Sequence, residues 1–319
     1  MTDPALAIDA EGLTKTYGRF CAVDQVDLHV PEGRVYALLG TNGAGKTTTV
    51  RMLSTLTRPD SGTARIFGHD VVRSGGTVRS LIGLTGQYAS VDEDLTAAEN
   101  LTIFARLVGT PGRRARGRAD ELLDTFGLSE VADRPVRQFS GGMRRRLDLA
   151  ASLVTAPRLL FLDEPTTGLD PRTRLQMWNI VRAMVADGST VLLTTQYLDE
   201  ADHLADHIAV MDRGRIVADG TPDDLKTRVG ESCVRLELTD PGVGSSAVGA
   251  CEPFAQQAVV IEDPGHRITV PMADLEHLPE LLIALRGRGV GLQAVNVVRP
   301  TLDEVFFALT GGAGSEAAA

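Results

Sequence analysis

Gly40-Thr41-Asn42-Gly43-Ala44-Gly45-Lys46-Thr47 spells G-x-x-x-x-G-K-[ST] with no mismatch, the spacing of a phosphate-binding loop. Glycines let the backbone curl so that successive N–H groups face one concavity, a nest for an anion. Lys46 brings a cation to the β- and γ-phosphates, and the Thr47 hydroxyl can ligate Mg²⁺. On the N-terminal side, Arg34-Val-Tyr-Ala-Leu-Leu39 is a short apolar run that reads as a buried strand ending at the loop. On the C-terminal side, Thr48 to Leu56 starts a helix whose N-terminal dipole favours the same phosphates. Strand, loop and helix in this order mark a nucleoside triphosphate site rather than a Gly-rich turn.

Further along, Leu159-Leu-Phe-Leu162 is an apolar run ending in Asp163-Glu164, the pattern of a buried parallel strand with two acids at its C-terminal end. Ligands of open α/β sheets bind at that end. An Asp there can hold Mg²⁺, and a neighbouring Glu can orient and deprotonate a water for attack on the γ-phosphorus.

The rest of the chain frames these two motifs. Ala7 to Tyr17 and Ala22 to Val30 alternate apolar and polar residues, as antiparallel strands do. Residues 97–154 read as mostly helical, with Met143, Leu147, Ala150 and Val154 on one face after Ser140. Ser189 to Thr195 reads as another buried strand. His207–Asp212 and Arg215–Asp219 flank Arg213-Gly214 as a hairpin, and Thr221-Pro222 opens a helix. Composition shifts near Lys226–Ser232. Beyond it, strands are expected at 233–239, 258–262, 267–271 and 290–298, a helix at 274–288, and a capping box at Thr301–Glu304.

The chain has 319 residues, 43% of them hydrophobic, and a formal net charge of −10. An acidic chain lacks the basic footprint of a nucleic-acid binder. The basic runs Arg113–Arg118 and Arg144–Arg146 read as solvated helix faces. Cys21, Cys233 and Cys251 match no metal spacing and suggest thiols in a reducing compartment. There is no signal-peptide pattern at the start and no apolar stretch near the roughly 18–20 residues that span a bilayer. A membrane role would therefore come through a partner.

Between the two phosphate motifs lies Phe139-Ser140-Gly141-Gly142-Met143, at the start of a helix. Here the chain resembles the ATP-binding cassette (ABC) ATPases, whose signature is usually Leu-Ser-Gly-Gly-Gln. Ser140, Gly141 and Gly142 match, and Phe139 and Met143 depart. The resemblance implies that this turn binds the γ-phosphate of ATP held by the phosphate loop of a second subunit. It also implies that Tyr17 stacks on adenine and that Gln87, in Thr85-Gly-Gln-Tyr88, touches Mg²⁺ and the attacking water. Gly168-Leu169-Asp170 matches the loop that crosses the dimer interface. Where most members carry a switch histidine, this chain has Gln196, which can donate a hydrogen bond but cannot titrate. His203 and His207 are the nearby groups that could fill that role instead. Thr41 stands where proline is usual.

The resemblance sharpens further. Thr85 to Asp92, Phe139 to Asp148, Leu193 to Asp202 and the terminal Thr301-Leu-Asp-Glu-Val-Phe-Phe-Ala-Leu-Thr-Gly311 are similar to the daunorubicin/doxorubicin-resistance type of exporter ATPases. The implied fold is α/β: a P-loop NTPase core over 7–226, with an antiparallel β subdomain and a helical subdomain at about 88–157. A small α+β domain at 231–310 and a disordered tail at 311–319 follow. The implied function is ATP hydrolysis with Mg²⁺, by a homodimer in its ATP-bound state. That dimer sits on the cytoplasmic face of the membrane against a separate transmembrane permease, and exposed residues of Ala89–Leu95 form the coupling surface. An importer ATPase, or a soluble ABC ATPase acting on ribosomes or DNA, would share the same catalytic motifs.

Overall fold

A computed structural model describes residues 5–86, 90–229, 233–262, 266–272, 275–298 and 300–310. Gln87, Ala89 and the tail 311–319 lie outside the described residues. The chain divides into two compact units, one up to Pro222 and one from Asp223 onward.

In the first unit, β1 (Leu6–Tyr17) and β2 (Phe20–Pro31) pair antiparallel. Alternation holds over much of the pair: Ala10, Leu13, Val26, Leu28 and Val30 are buried between more exposed neighbours, whereas Ala7-Ile8 and Ala22-Val23 are buried in succession. Next come β3 (Val35–Leu39) and α1 (Lys46–Leu53), on either side of the phosphate loop. β4 (Ser61–Ile66) and β5 (His69–Asp70) complete a four-stranded sheet of order β2-β1-β4-β5. α2 (Gly75–Leu81) leads into β6 (Ile82–Thr85).

Three helices follow: α3 (Ala97–Leu107), α4 (Gly112–Thr125) and α5 (Gly141–Ser152). α3 opens on a capping box. The Glu99 amide donates to the Thr96 hydroxyl at 3.2 Å, and the Thr96 amide donates to the Glu99 carboxylate at 2.8 Å. The chain then alternates through β7 (Leu159–Asp163), α6 (Pro171–Ala186), β8 (Thr190–Thr195), α7 (Leu198–Leu204), β9 (His207–Asp212) and β10 (Arg215–Gly220).

The second sheet has the order β10-β9-β3-β8-β7-β6. All neighbours are parallel except the β9–β10 hairpin. Every residue of β3, β7 and β8 is buried, which is why these strands read as unbroken apolar runs instead of alternating ones. One core joins the two sheets through Ile8, Leu28, Tyr36, Leu38, Phe161 and Leu192, with Val50 and Leu53 of α1. Each such side chain contributes about 1.5–3 kcal/mol by leaving water, so the strands fix the loops at their ends. Parallel pairing puts the C-terminal ends of β3, β6, β7 and β8 on one edge of the sheet. Asp163 ends β7, and residues 40–45, Gly86, Glu164 and Gln196 follow directly from the strand ends.

Not all of the basic residues behave as solvated faces. Arg113, Arg114 and Arg116 in α4 are exposed. In α5, by contrast, all three arginines bind protein acceptors. Arg146 Nη1 donates to the Phe126 carbonyl at 3.0 Å, and Arg144 Nη1 meets Glu93 at 2.8 Å. Arg145 is embedded still more deeply. The short segment before α3 is likewise fastened: Val91 is buried, and the Val136 and Arg137 amides donate to the Leu95 and Glu93 carbonyls, both at 2.9 Å. Asp92, Glu93 and Asp94 remain exposed.

α8 (Pro222–Val229) starts at Pro222, the N1 position read from the sequence. The second unit then holds β11 (Cys233–Leu238), α9 (Gly244–Cys251), β12 (Val260–Glu262), β13 (Arg267–Pro271), α10 (Leu278–Gly287), β14 (Leu292–Val298) and α11 (Leu302–Thr310). Its antiparallel sheet runs β12-β13-β11-β14. Val234, Leu236, Ile268 and Val270 pack with Ala247, Leu281 and Leu285 in a core of its own. α10 starts later than the pattern suggests, after a 3₁₀ turn at Leu275–His277, because Pro279 fits only the first helical turn. The Thr301–Glu304 capping box is formed, with bonds of 3.2 and 3.4 Å. Among the described residues no helix is long and apolar enough to cross a membrane.

Candidate active site

The phosphate loop is shaped by contacts that exclude side chains. Gly45 has φ of 109°, and a Cβ there would lie 2.4 Å from the Ala22 carbonyl oxygen. A Cβ on Gly40 would lie 2.3 Å from the Met211 carbonyl oxygen. The loop can therefore follow this path only with glycine at both positions.

Lys46 folds back into its own loop. Its Nζ donates to the Gly40 carbonyl at 2.7 Å and the Thr41 carbonyl at 3.1 Å, and it lies 3.5 Å from Glu164 Oε1. Burial pulls the ammonium below its ordinary pKa, while Glu164 and Asp163 act in the opposite sense. Thr47 Oγ1 donates to Asp163 Oδ1 at 3.2 Å, and the Thr194 hydroxyl donates to the same oxygen. A hydroxyl and a carboxylate thus lie side by side below the loop.

Glu164 stands in the left-handed region with φ of 49°, which costs a non-glycine residue on the order of 1–3 kcal/mol. Its amide is held by the Thr194 carbonyl at 3.1 Å and hydroxyl at 3.2 Å. Its carboxylate, nearly buried, accepts from Thr167 Oγ1 at 3.4 Å. Loop residues Asn42, Gly43, Gly45, Lys46 and Thr47, with Thr48, Glu164 and Gln196, border an open cleft of about 780 Å³.

Ser140 is the N-cap of α5 and accepts from the Met143 amide at 3.3 Å. Gly141 borders the same cleft. Gly142 is tight against α6, where a Cβ would lie 2.6 Å from Thr173 Cγ2. Asp170 caps α6, accepting from the Thr173 amide at 3.0 Å and hydroxyl at 2.6 Å, bonds that hold its carboxyl below the usual range.

Tyr17 sits at the end of β1, exposed, with Lys15 Nζ 5.7 Å from its ring centre, and does not line the cleft. Phe20 and Ala22, across the hairpin, do line it. Phe20 is a cleft residue that the sequence motifs do not single out; its one signal is an aromatic at the strand edge just after the Gly18-Arg19 turn, with no core to join.

The two histidines near Gln196 are engaged elsewhere. His203 packs against Trp178, with ring centroids 4.5 Å apart. His207 starts β9 beside Tyr36, at the sheet end opposite the phosphate loop, and pairs with Asp219.

Below Gln196, Glu200 is wholly buried. Its Oε1 accepts from Thr166 Oγ1 at 2.8 Å and Trp178 Nε1 at 3.2 Å. Burial raises its pKa against the opposing bonds from Thr195, Thr166 and Trp178. A raised folded value means the folded state holds this proton more tightly. The stability this gives is present below the ordinary glutamate range and is lost as pH rises through the folded value. Glu200→Gln keeps an acceptor for both donors and removes the titration. The mutant's stability advantage over wild type, from urea melts, is expected to grow between pH 5 and pH 8. An advantage equal at both pH values contradicts it.

The model of the "ABC transporter" family matches residues 23–167. A daunorubicin/doxorubicin resistance ATP-binding protein of Streptomyces peucetius is 53% identical over 316 residues, covering 97% of this chain and 94% of that protein. A doxorubicin resistance ATP-binding protein of Mycobacterium tuberculosis is 44% identical, covering 97% and 95%. Among solved structures, an ATP-binding cassette seen as a dimer in a post-hydrolysis state with ADP and Pi superposes with a TM-score of 0.62. That match has 25% identity and covers 67% of this chain and 98% of the cassette. On these similarities the chain belongs to the ATP-hydrolysing, nucleotide-binding subunits of the ABC transporter family.

Proposed function

We propose that this chain powers export of drug-like compounds, as a homodimer in its ATP-bound state on the cytoplasmic face of a separate transmembrane permease. One observation carries the reading. The similarity to the Streptomyces peucetius resistance protein takes in the second unit as well as the cassette, across 97% of the chain.

In this reading the amides of residues 40–48 and the Lys46 ammonium grip the phosphates of ATP. Thr47 and Asp163, with Gln87, would hold Mg²⁺, which when bound offsets phosphate charge. The donor set suits that ion: a hydroxyl and a carboxylate are hard oxygen ligands. Among the described residues no group of three His, Cys, Asp or Glu could hold a metal alone. That fits a cation that arrives on the substrate's phosphates. Glu164 orients the attacking water and takes its proton. Gln196 donates a hydrogen bond to the γ-phosphate. Tyr17 meets the adenine, with Phe20 as the aromatic already at the cleft. Ser140, Gly141, Gly142 and Asp170 serve the nucleotide of the partner subunit.

The test is co-expression with a transmembrane permease of the daunorubicin-resistance exporter type, in a daunorubicin-sensitive bacterium. Cells with both chains are expected to accumulate less daunorubicin than cells with either one. Equal accumulation in all three overturns the export reading.

A further inference from the structure

Glu164, Pro165 and Asp163 turn three successive carbonyls toward α5, and one side chain meets all of them. Arg145 Nε donates to the Pro165 carbonyl at 2.8 Å, and Nη2 donates to the Asp163 and Glu164 carbonyls, both at 3.1 Å. Nη1 donates to the Gly86 carbonyl at 2.7 Å and faces Asp148 Oδ2 at 3.5 Å. All five guanidinium N–H donors are thereby engaged. The side chains of Arg145 and Asp148 are 12% and 2% exposed. Asp148 Oδ1 in turn accepts from the Ser90 amide at 2.8 Å. The pair therefore grips the chain at Gly86, at Ser90 and at the turn that carries Glu164.

We propose that Arg145, with Asp148 as its counter-charge, is a positioning residue that holds the left-handed backbone of Glu164 and so aims its carboxylate into the cleft. The inference rests on the reading of Glu164 as the base. The geometry gives the reason. β8 fixes the amide of Glu164 through Thr194, whereas its carbonyl receives from its own turn only a long bond, 3.4 Å, from the Thr167 amide. Arg145 supplies the second hold. Without it, the Asp163 and Pro165 carbonyls lose the Arg145 donor and the Glu164 carbonyl keeps only the long Thr167 bond, and the turn is free to relax toward φ < 0, swinging Cβ and the carboxylate with it. Lysine cannot substitute, because three donors on a point charge do not span acceptors spread around a planar fork.

The experiment uses the full chain, with steady-state and single-turnover hydrolysis of labelled ATP for Arg145→Lys, Glu164→Gln and the double variant. Circular dichroism and equilibrium ATP binding run in parallel. Arg145→Lys is expected to lower kcat about 10- to 100-fold, the scale of a 1 Å misplacement, with KM within about threefold. In the Glu164→Gln background the same change is expected to add no further loss, because the group it positions is already disabled. A general structural role would lower both backgrounds by the same factor, and that result overturns the proposal. So does an Arg145→Lys chain with wild-type kcat. A Glu164→Gln chain that is itself fully active overturns the base reading, and this inference with it, and is seen in that single variant alone. If Arg145→Lys does not fold, Asp148→Asn carries the test. It keeps an acceptor for Ser90 and removes the counter-charge. A kcat loss of about three- to tenfold at constant KM, absent in the Glu164→Gln background, supports the proposal. An unchanged kcat overturns it.

Discussion

Glu164→Gln is expected to slow ATP hydrolysis by about 10²–10⁴-fold, the range for loss of a general base, while ATP binding is kept or strengthened. The amide is isosteric and can still accept from Thr167 Oγ1, which meets the carboxylate at 3.4 Å. What it loses is the capacity to take a proton. The gain in binding follows from charge. The carboxylate lies 3.5 Å from Lys46 Nζ, so it competes with the phosphates for that ammonium and repels their charge. Neutralising it removes both effects. With hydrolysis blocked, the ATP-bound dimer should accumulate, visible by size exclusion with and without ATP. Near wild-type release of labelled phosphate contradicts the base role. Weaker ATP binding contradicts the charge argument.

The sheet edge was legible because its chemistry is local. The phosphate loop occupies eight consecutive residues, and β3, β7 and β8 are apolar along their whole lengths because both faces are covered. Asp163-Glu164 and Ser140-Gly141-Gly142 are read the same way, as ends of elements with one chemical purpose. The misses have different physical causes. α9 runs through Gly-Ser-Ser-Ala-Val-Gly, where the glycines, serines and valine lower helix propensity and the core contacts of Ala247 and Cys251 override it. Arg145 reads in the sequence as one of three solvated arginines, because its partners are backbone carbonyls of Gly86 and residues 163–165. No sequence pattern announces an acceptor made of peptide oxygens. Phe20 borders the cleft only because the β1–β2 hairpin folds beside the phosphate loop, a tertiary fact.

Lys46→Ala is expected to weaken ATP binding by roughly 100-fold, and to do so although other cations stand at the cleft. Arg144 and Arg145 also border it. Arg145 has every donor engaged by protein acceptors, and Arg144 is paired with Glu93 at 2.8 Å and with the Arg137 carbonyl at 3.3 Å. Lys46 differs because its partners are weak competitors: two carbonyls of its own loop and one carboxylate at 3.5 Å. A flexible ammonium can leave these for phosphate oxygens, exchanging neutral acceptors for charged ones. One such charge-assisted bond is worth about 1.5–3 kcal/mol, or roughly 10- to 150-fold in affinity. Truncation also strands the Gly40 carbonyl, which Lys46 meets in a buried setting, so the apo chain should melt earlier as well. The two effects separate cleanly: equilibrium binding of labelled ATP at a temperature where both chains are folded reports the phosphate contact, and a thermal melt without nucleotide reports the stranded carbonyl. Unchanged ATP affinity in the presence of Mg²⁺ would mean that the loop amides alone hold the phosphates, and Lys46 would lose its place in the site.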